Sequence, residues 1–262
     1  MATRAPRAPS TLTAYVLHRY DWSETSLILD LFTREQGRVA AAAKGAKRPY
    51  SQLRPVLLPF QRLQVALGRV PKPEAGQDAG GEVQNLRSAE WAGGAAMLTG
   101  AALFSGFYLN ELLMKLVPRH DPQPQLFDTY AQTLPRLADP DDLHVQAALR
   151  AFELRLLKEV GVLPDLSLVT LTLDEVREQA YYTLLPEAGV AEPRGSDARI
   201  AGEALIGLQA ALVHGSAEAL QQACGRALPE LKTMLRALLH YHLGTPVLRT
   251  RQVMLDVQNL ER

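Results

Sequence analysis

The sequence predicts an α+β chain, with a small N-terminal barrel of five β-strands followed by an α-helical domain that carries a short inserted hairpin region. Short alternating or β-branched segments bounded by turn residues fill roughly the first ninety residues, and a three-to-four-residue apolar period takes over after them. Charge divides the same way. Residues 1–72 hold twelve Lys or Arg against four Asp or Glu, a surplus of eight cations; the other 190 residues hold sixteen against twenty-four, a surplus of eight anions. The formal net charge of zero conceals this separation. A basic strand-rich module joined to an acidic helical body points to a polyanion-binding domain carried by a scaffold.

Taken in order, residues 1–12 are basic, lack an apolar stretch, and read as a flexible arm rather than a secretory signal. Residues 13–20 and 26–33 are rich in β-branched, aromatic and aliphatic side chains and are joined by a polar connector, Asp21 to Thr25. Glu35-Gln36-Gly37-Arg38 reads as a tight turn, with Gly37 supplying a positive φ. Residues 38–43 form a third strand, although their four alanines prefer helix. Residues 60–70 set Phe60, Leu63, Val65 and Leu67 against polar neighbours. After a loop containing Pro71, Pro73, Gly76, Gly80 and Gly81, residues 82–88 supply a fifth strand. Five short strands over 13–88 suggest a Greek-key barrel of the oligonucleotide-binding (OB) type.

The domain from 89 to 262 reads as helices at 91–117, 124–138, 142–160, 197–214, 216–224, 226–243 and 249–258. In 142–160, Asp141 or Asp142 caps the start, Leu149, Phe152, Leu156 and Val160 form an apolar stripe, and Gly161 ends the helix. Residues 165–196 read as an inserted hairpin region with β-like segments at 168–173 and 180–187.

Several function classes are disfavoured. Twenty uncharged residues lie between Glu90 and Glu111, about the length of a membrane span. Their four glycines and the lack of a basic flank favour a helix packed inside a soluble bundle. The one cysteine, Cys224, excludes an internal disulfide and a four-cysteine zinc site, and fits a reducing, cytoplasmic setting. Lys44-Gly45 lacks the upstream glycine and following hydroxyl of a phosphate-binding loop. The six histidines show no metal-ligand spacing. No catalytic constellation and no cofactor are expected.

Candidate binding residues fall into two groups. Lys44, Lys47 and Arg48 surround Gly45 and, with Arg38 and Arg54, suit a nucleic-acid backbone. Tyr20, Trp22 and Tyr50 are placed to stack on unpaired bases, whereas Phe32 and Phe60 read as core. Alone, this loop reads as a solvated hairpin tip; the charge surplus of the module favours binding. In the helical domain, Arg150 and Arg155 border the stripe of Leu149 and Phe152, an arrangement able to receive the carboxylate of a partner peptide. Spacing alone favours ordinary surface salt bridges with Glu153 or Glu159.

Several strings, in order, resemble the RecO family of bacterial DNA repair proteins. They include Trp22-Ser-Glu-Thr-Ser-Leu-Ile-Leu-Asp-Leu-Phe-Thr33, Gly37-Arg-Val, Ala43-Lys-Gly-Ala46, Leu57-Leu-Pro-Phe60, Leu86-Arg-Ser-Ala-Glu90, Tyr108-Leu-Asn-Glu-Leu-Leu113 and Ala148-Leu-Arg-Ala-Phe-Glu-Leu154. The resemblance implies an OB fold followed by a helical domain, and a non-enzymatic recombination mediator associated with the nucleoid. Such a protein binds single- and double-stranded DNA, anneals complementary strands, and works with RecR to load RecA onto DNA coated by single-stranded DNA-binding protein. It also implies that Arg150 receives the C-terminal tail of that coating protein. Some members carry a four-cysteine zinc site at the position of 165–196; the absence of cysteines there implies a metal-free insert. The rival reading is a helical adaptor whose basic β-module binds RNA or a protein partner.

Overall fold

A computed structural model describes residues 11–68, 83–94, 97–244 and 248–260. The loop expected around 71–81, residues 1–10 of the expected arm and the cations Arg69 and Lys72 lie outside the described residues. The described residues fall into two compact units. One runs up to Met97 and includes Val117–Phe127; the other is Leu98–Leu116 together with the residues from Asp128 onward.

The first unit is a closed barrel of β1 (Thr11–Asp21), β2 (Leu27–Thr33), β3 (Gly37–Ala43), β4 (Gln61–Leu67) and β5 (Gln84–Gly94) in the order β1-β2-β3-β5-β4. β1 pairs antiparallel with β2 and β4, and the parallel β3–β5 pair closes the ring. Alternation sets what points inward. Leu12, Ala14 and Val16 of β1 meet Leu29, Leu31, Val39, Ala41, Ala43, Leu63 and Val65 in one core. On the other face Tyr15 and Phe32 are also buried, with ring centroids 5.3 and 5.4 Å from Phe127. Phe60 is buried as expected.

The alanine run at 40–43 is a strand despite its propensity because every residue of β3 is buried and paired. Small side chains let neighbouring strands and covering segments approach, so tertiary context overrides local preference. Gly37 has φ +68°, and a Cβ there would run into the backbone of Asp121. That segment is fixed by the His120 N–H, which donates to the Arg38 carbonyl at 2.9 Å.

Several boundaries differ from the sequence reading, and the helix expected over 197–214 starts only at Gly202, because Ile200 and Ala201 pair with Tyr182 and Tyr181 as a short strand. Residues 11 and 12 belong to β1 rather than to an arm, because Leu12 is buried in the core. Residues 91–94 extend β5 instead of opening a helix. Trp91 pairs opposite Leu63, and its indole N–H donates to Gln61 at 3.1 Å.

The remaining elements are α1 (Gly100–Leu116), α2 (Pro124–Arg136), α3 (Asp142–Glu159), β6 (Tyr181–Leu185), β7 (Gly189–Ala191), β8 (Ile200–Ala201), α4 (Gly202–His214), α5 (Ala217–Gly225), α6 (Leu228–Leu243) and α7 (Arg249–Leu260). In the second unit α3 is the central helix, buried continuously from Ala147 to Leu157. Asp141 is its cap, accepting from the Leu143 N–H at 2.9 Å, and Gly161 follows its end at φ +76°. Among the described residues no helix is long and apolar enough to cross a membrane.

The insert is only half as expected. β6 and β7 form a hairpin and β8 pairs with β6, but 168–173 is not a strand. It holds one isolated bridge, Leu168 to Glu175, and a turn in which Leu173 has φ +62° and Leu171 and Leu173 are exposed. Alternating Leu, Val and Thr gave a strand pattern, yet neither leucine finds a core to enter. Hydrogen bonds join packing in holding this region. The Thr170 N–H donates to the Val190 carbonyl, and the Val190 N–H donates to Thr170 Oγ1, both at 2.9 Å. Among the described residues no three His, Cys, Asp or Glu side chains gather as a metal-ligand group.

Candidate nucleic-acid face and peptide groove

On the barrel, the outer end of β1 and the turn after β3 carry the candidate residues. β1 is exposed from His18 to Asp21, beyond a register shift between Val16 and His18. The turn from Lys44 to Tyr50 is tied to the β1–β2 connector by the Lys47 N–H, which donates to the Thr25 carbonyl at 2.9 Å. Gly45, at φ +71°, shapes that turn. Lys47 and Arg54 line a depression of about 400 Å³ with Arg19 and Asp21. Lys44, Arg48 and Arg54 are exposed, and among the described residues none of the three has an ion pair. Lys47 is bound to Asp21 at 3.0 Å, which offsets part of its charge. Tyr20, Trp22 and Tyr50 are 46%, 57% and 95% exposed, so flat aromatic surfaces lie on the same segments as the cations.

Arg38 does not join this face. It is buried, and its Nε and Nη2 donate to the two oxygens of buried Asp30 at 3.1 and 3.2 Å. Its Nη1 donates to the Val117 carbonyl at 2.7 Å, and Arg119 adds a second cation on Asp30 at 3.0 Å. The guanidinium is spent inside the unit and is not offered to a phosphate. Arg19, which the sequence reading passed over, takes its place among the exposed cations; it lies on the exposed run of β1 beside Tyr20.

In the second unit, α1, α3, α6 and the start of α7 line a groove of about 300 Å³. Its floor is apolar, with Phe104, Leu149, Leu239 and Leu248. Its rim is cationic, with the exposed Lys232, Arg236 and Arg251, and buried Arg150 lines it from below. Burial, then Arg236 and Arg251, lower the pKa of His240 in the same lining. Sequence reasoning found Arg150 and Leu149 but missed the α6 cations. A signal was present: Lys232, Arg236 and His240 recur every four residues, on one helix face.

Arg150 reaches the groove from a buried network. Its Nη2 lies 2.8 Å from Glu153 Oε1, which also accepts from the Tyr108 hydroxyl at 2.7 Å. Burial pushes the Glu153 carboxyl up, opposed by Arg150 and Tyr108. Burial, reinforced by Glu153, pushes the Tyr108 hydroxyl well up, so it remains a donor. Among the described residues Arg150 Nε and Glu153 Oε2 are buried with no hydrogen-bond partner. The Arg150–Glu153 bridge therefore exists, but inside the protein rather than on its surface. Arg155 and Phe152 are not groove residues. Arg155 is buried, donates to the Leu212 carbonyl at the end of α4 at 3.0 Å and lies 3.6 Å from Glu159; Phe152 is core beside Tyr130. Cys224 is a buried thiol whose pKa is raised by burial and then by Glu153.

Glu111 supplies a further long-range contact. Burial raises its pKa, but hydrogen bonds from the Thr250 and Arg249 N–H groups, the Thr250 hydroxyl, and the charge of Lys115 outweigh it and lower the net value. The two N–H bonds are both 2.9 Å. The resulting stability is present above the unfolded carboxyl pKa and is lost as pH falls through the folded one.

The family model described as recombination protein O N terminal matches residues 9–74, and the one described as recombination protein O C terminal matches 97–252. A DNA repair protein RecO from Polaromonas sp. is 52% identical over 249 residues, covering 94% of this chain and 96% of that protein. A protein of the same name from Albidiferax ferrireducens is 49% identical over 249 residues, covering 94% and 95%. One from Paracidovorax citrulli is 46% identical over 271 residues, covering 98% and 100%. With both family models matched in order and relatives this similar along nearly its whole length, the chain belongs to the recombination protein O (RecO) family.

Proposed function

We propose that this chain is a DNA repair and recombination mediator that binds single- and double-stranded DNA and anneals complementary strands without catalysing a bond change. The observation that carries this is the exposed face of the barrel, where Arg19, Lys44, Lys47, Arg48 and Arg54 are interleaved with Tyr20, Trp22 and Tyr50. Cations lower the mutual repulsion of two phosphate backbones, and aromatic faces hold unpaired bases without reading them. Annealing needs no more than that, so the role is non-enzymatic. The relatives' name, DNA repair protein RecO, supports the same process.

The groove supplies the second half of the role. A cationic rim over an apolar floor suits an acidic peptide that ends in an apolar residue, with its carboxylate on guanidinium groups and its last side chain on Leu149 and Leu239. The C-terminal tail of single-stranded DNA-binding protein, the partner that the family resemblance implies, would be received there through that chemistry. With RecR, the chain would then help load RecA onto the coated DNA, in the cytoplasm and at the nucleoid. The test is annealing of complementary oligonucleotides without nucleotide, bare and coated by that protein. Faster annealing in both cases is expected. No acceleration, or tighter binding to RNA than to DNA of matched length, would favour an RNA-binding adaptor.

A further inference from the structure

We propose that Glu111 is a positioning residue of the peptide groove, acting through α7. This rests on the groove's reading as a carboxylate receptor. Leu248, Thr250 and Arg251 form the wall that α7 and the residue before it contribute to the groove. Leu248 is buried, but Arg249, Arg251, Gln252, Val253 and Asp256 are exposed. What fixes the first turn of α7 is Glu111 on α1, 138 residues before Arg249 in sequence. One carboxylate oxygen accepts from the Arg249 N–H at 2.9 Å. The other accepts from the Thr250 N–H at 2.9 Å and from the Thr250 hydroxyl at 2.7 Å.

The first N–H groups of a helix have no partner within it, so a carboxylate across two of them is both a cap and a charge of the favoured sign. Glu111 is 7% exposed, and the more exposed Lys115, one turn along α1, lies 3.6 Å from it. It lies outside the groove lining, and its effect on a ligand is indirect: it latches α7 so that Arg251 lines the groove together with Arg150 and Arg236.

The test uses the full chain and the variants Glu111→Gln, Arg251→Ala and their combination. Glu111→Gln keeps the size but replaces one acceptor with a donor aimed at N–H groups. Three quantities are measured: amide hydrogen exchange across 249–260, affinity for an acidic peptide with a free apolar C-terminus, and affinity for single-stranded DNA. In Glu111→Gln, exchange in α7 is expected to rise, and peptide affinity to fall by about tenfold, the scale of a lost hydrogen bond to a charged group. DNA affinity is expected to stay within about twofold, because Glu111 belongs to the helical unit and shares no partner with the barrel cations. Arg251→Ala should weaken peptide binding with α7 still protected, and the double variant should lose little more than Glu111→Gln alone. Faster α7 exchange with wild-type peptide affinity would overturn the inference, as would additive losses in the double variant or global unfolding of Glu111→Gln. If the wild-type chain does not bind the peptide, the receptor reading itself fails and this inference falls with it.

Discussion

Asp30→Ala is expected to destabilise the protein by about 3–5 kcal/mol, the usual cost of leaving a buried charge without its partner. Asp30 is 2% exposed and Arg38 is 8% exposed. Arg38 holds Asp30 with two hydrogen bonds and spends its third nitrogen on the Val117 carbonyl, so it cannot swing to water without breaking the segment that covers β3. Arg119 also loses a partner, but its half-exposed side chain can resolvate. Chemical denaturation with a probe in the barrel measures the loss. Adding Arg38→Met should recover a large part of it, since a buried ion pair replaced by apolar groups is often neutral. A loss below about 1 kcal/mol for Asp30→Ala would mean that the pair is solvated.

Arg150→Ala is expected to weaken acidic-peptide binding by about ten- to a hundredfold, corresponding to roughly 1.5–3 kcal/mol for a charge-assisted hydrogen bond. Affinity of the barrel for naked DNA should hardly change. The buried network complicates the single variant, because removing Arg150 leaves Glu153 uncompensated at 0% exposure. The pair Arg150→Met with Glu153→Gln removes both charges, while the introduced amide oxygen still accepts from the Tyr108 hydroxyl. Isothermal peptide titration on that folded double variant separates binding from stability. Retained peptide affinity, or an equal fall in peptide and DNA affinity, contradicts the assignment.

What was legible in the sequence was what depends on neighbours along the chain. Alternation of Leu63 and Val65 foretold the inward face of β4, whereas Leu12 was read as part of an arm; the acidic pair Asp141 and Asp142 and then Gly161 foretold the ends of α3. The alanines of β3 were legible only through their position after Gly37, because their own propensity points to helix. Residues 168–173 failed for the opposite reason: the strand pattern was present, yet Leu171 and Leu173 stay exposed and only Leu168 makes a bridge. At the candidate sites, a count of charges cannot tell Arg48 from Arg38, since the burial of Arg38 on Asp30 is set by pairing across β2 and β3. The cap on α7 by Glu111 has no local signature at all. The four-residue spacing of Lys232, Arg236 and His240 was readable, but it acquires meaning only beside Arg150.

The central claim is that the exposed cations of the barrel carry DNA binding. The most direct measurement is the salt dependence of single-stranded DNA affinity for Lys44→Ala/Lys47→Ala/Arg48→Ala, compared with the unaltered chain. Each phosphate contact on a single strand contributes about 0.7 to the log–log slope, so loss of three should flatten it by roughly two units and weaken binding at low salt. The pairing of Lys47 with Asp21 makes its share the smallest of the three. A folded triple variant with unchanged affinity and unchanged slope would contradict the account.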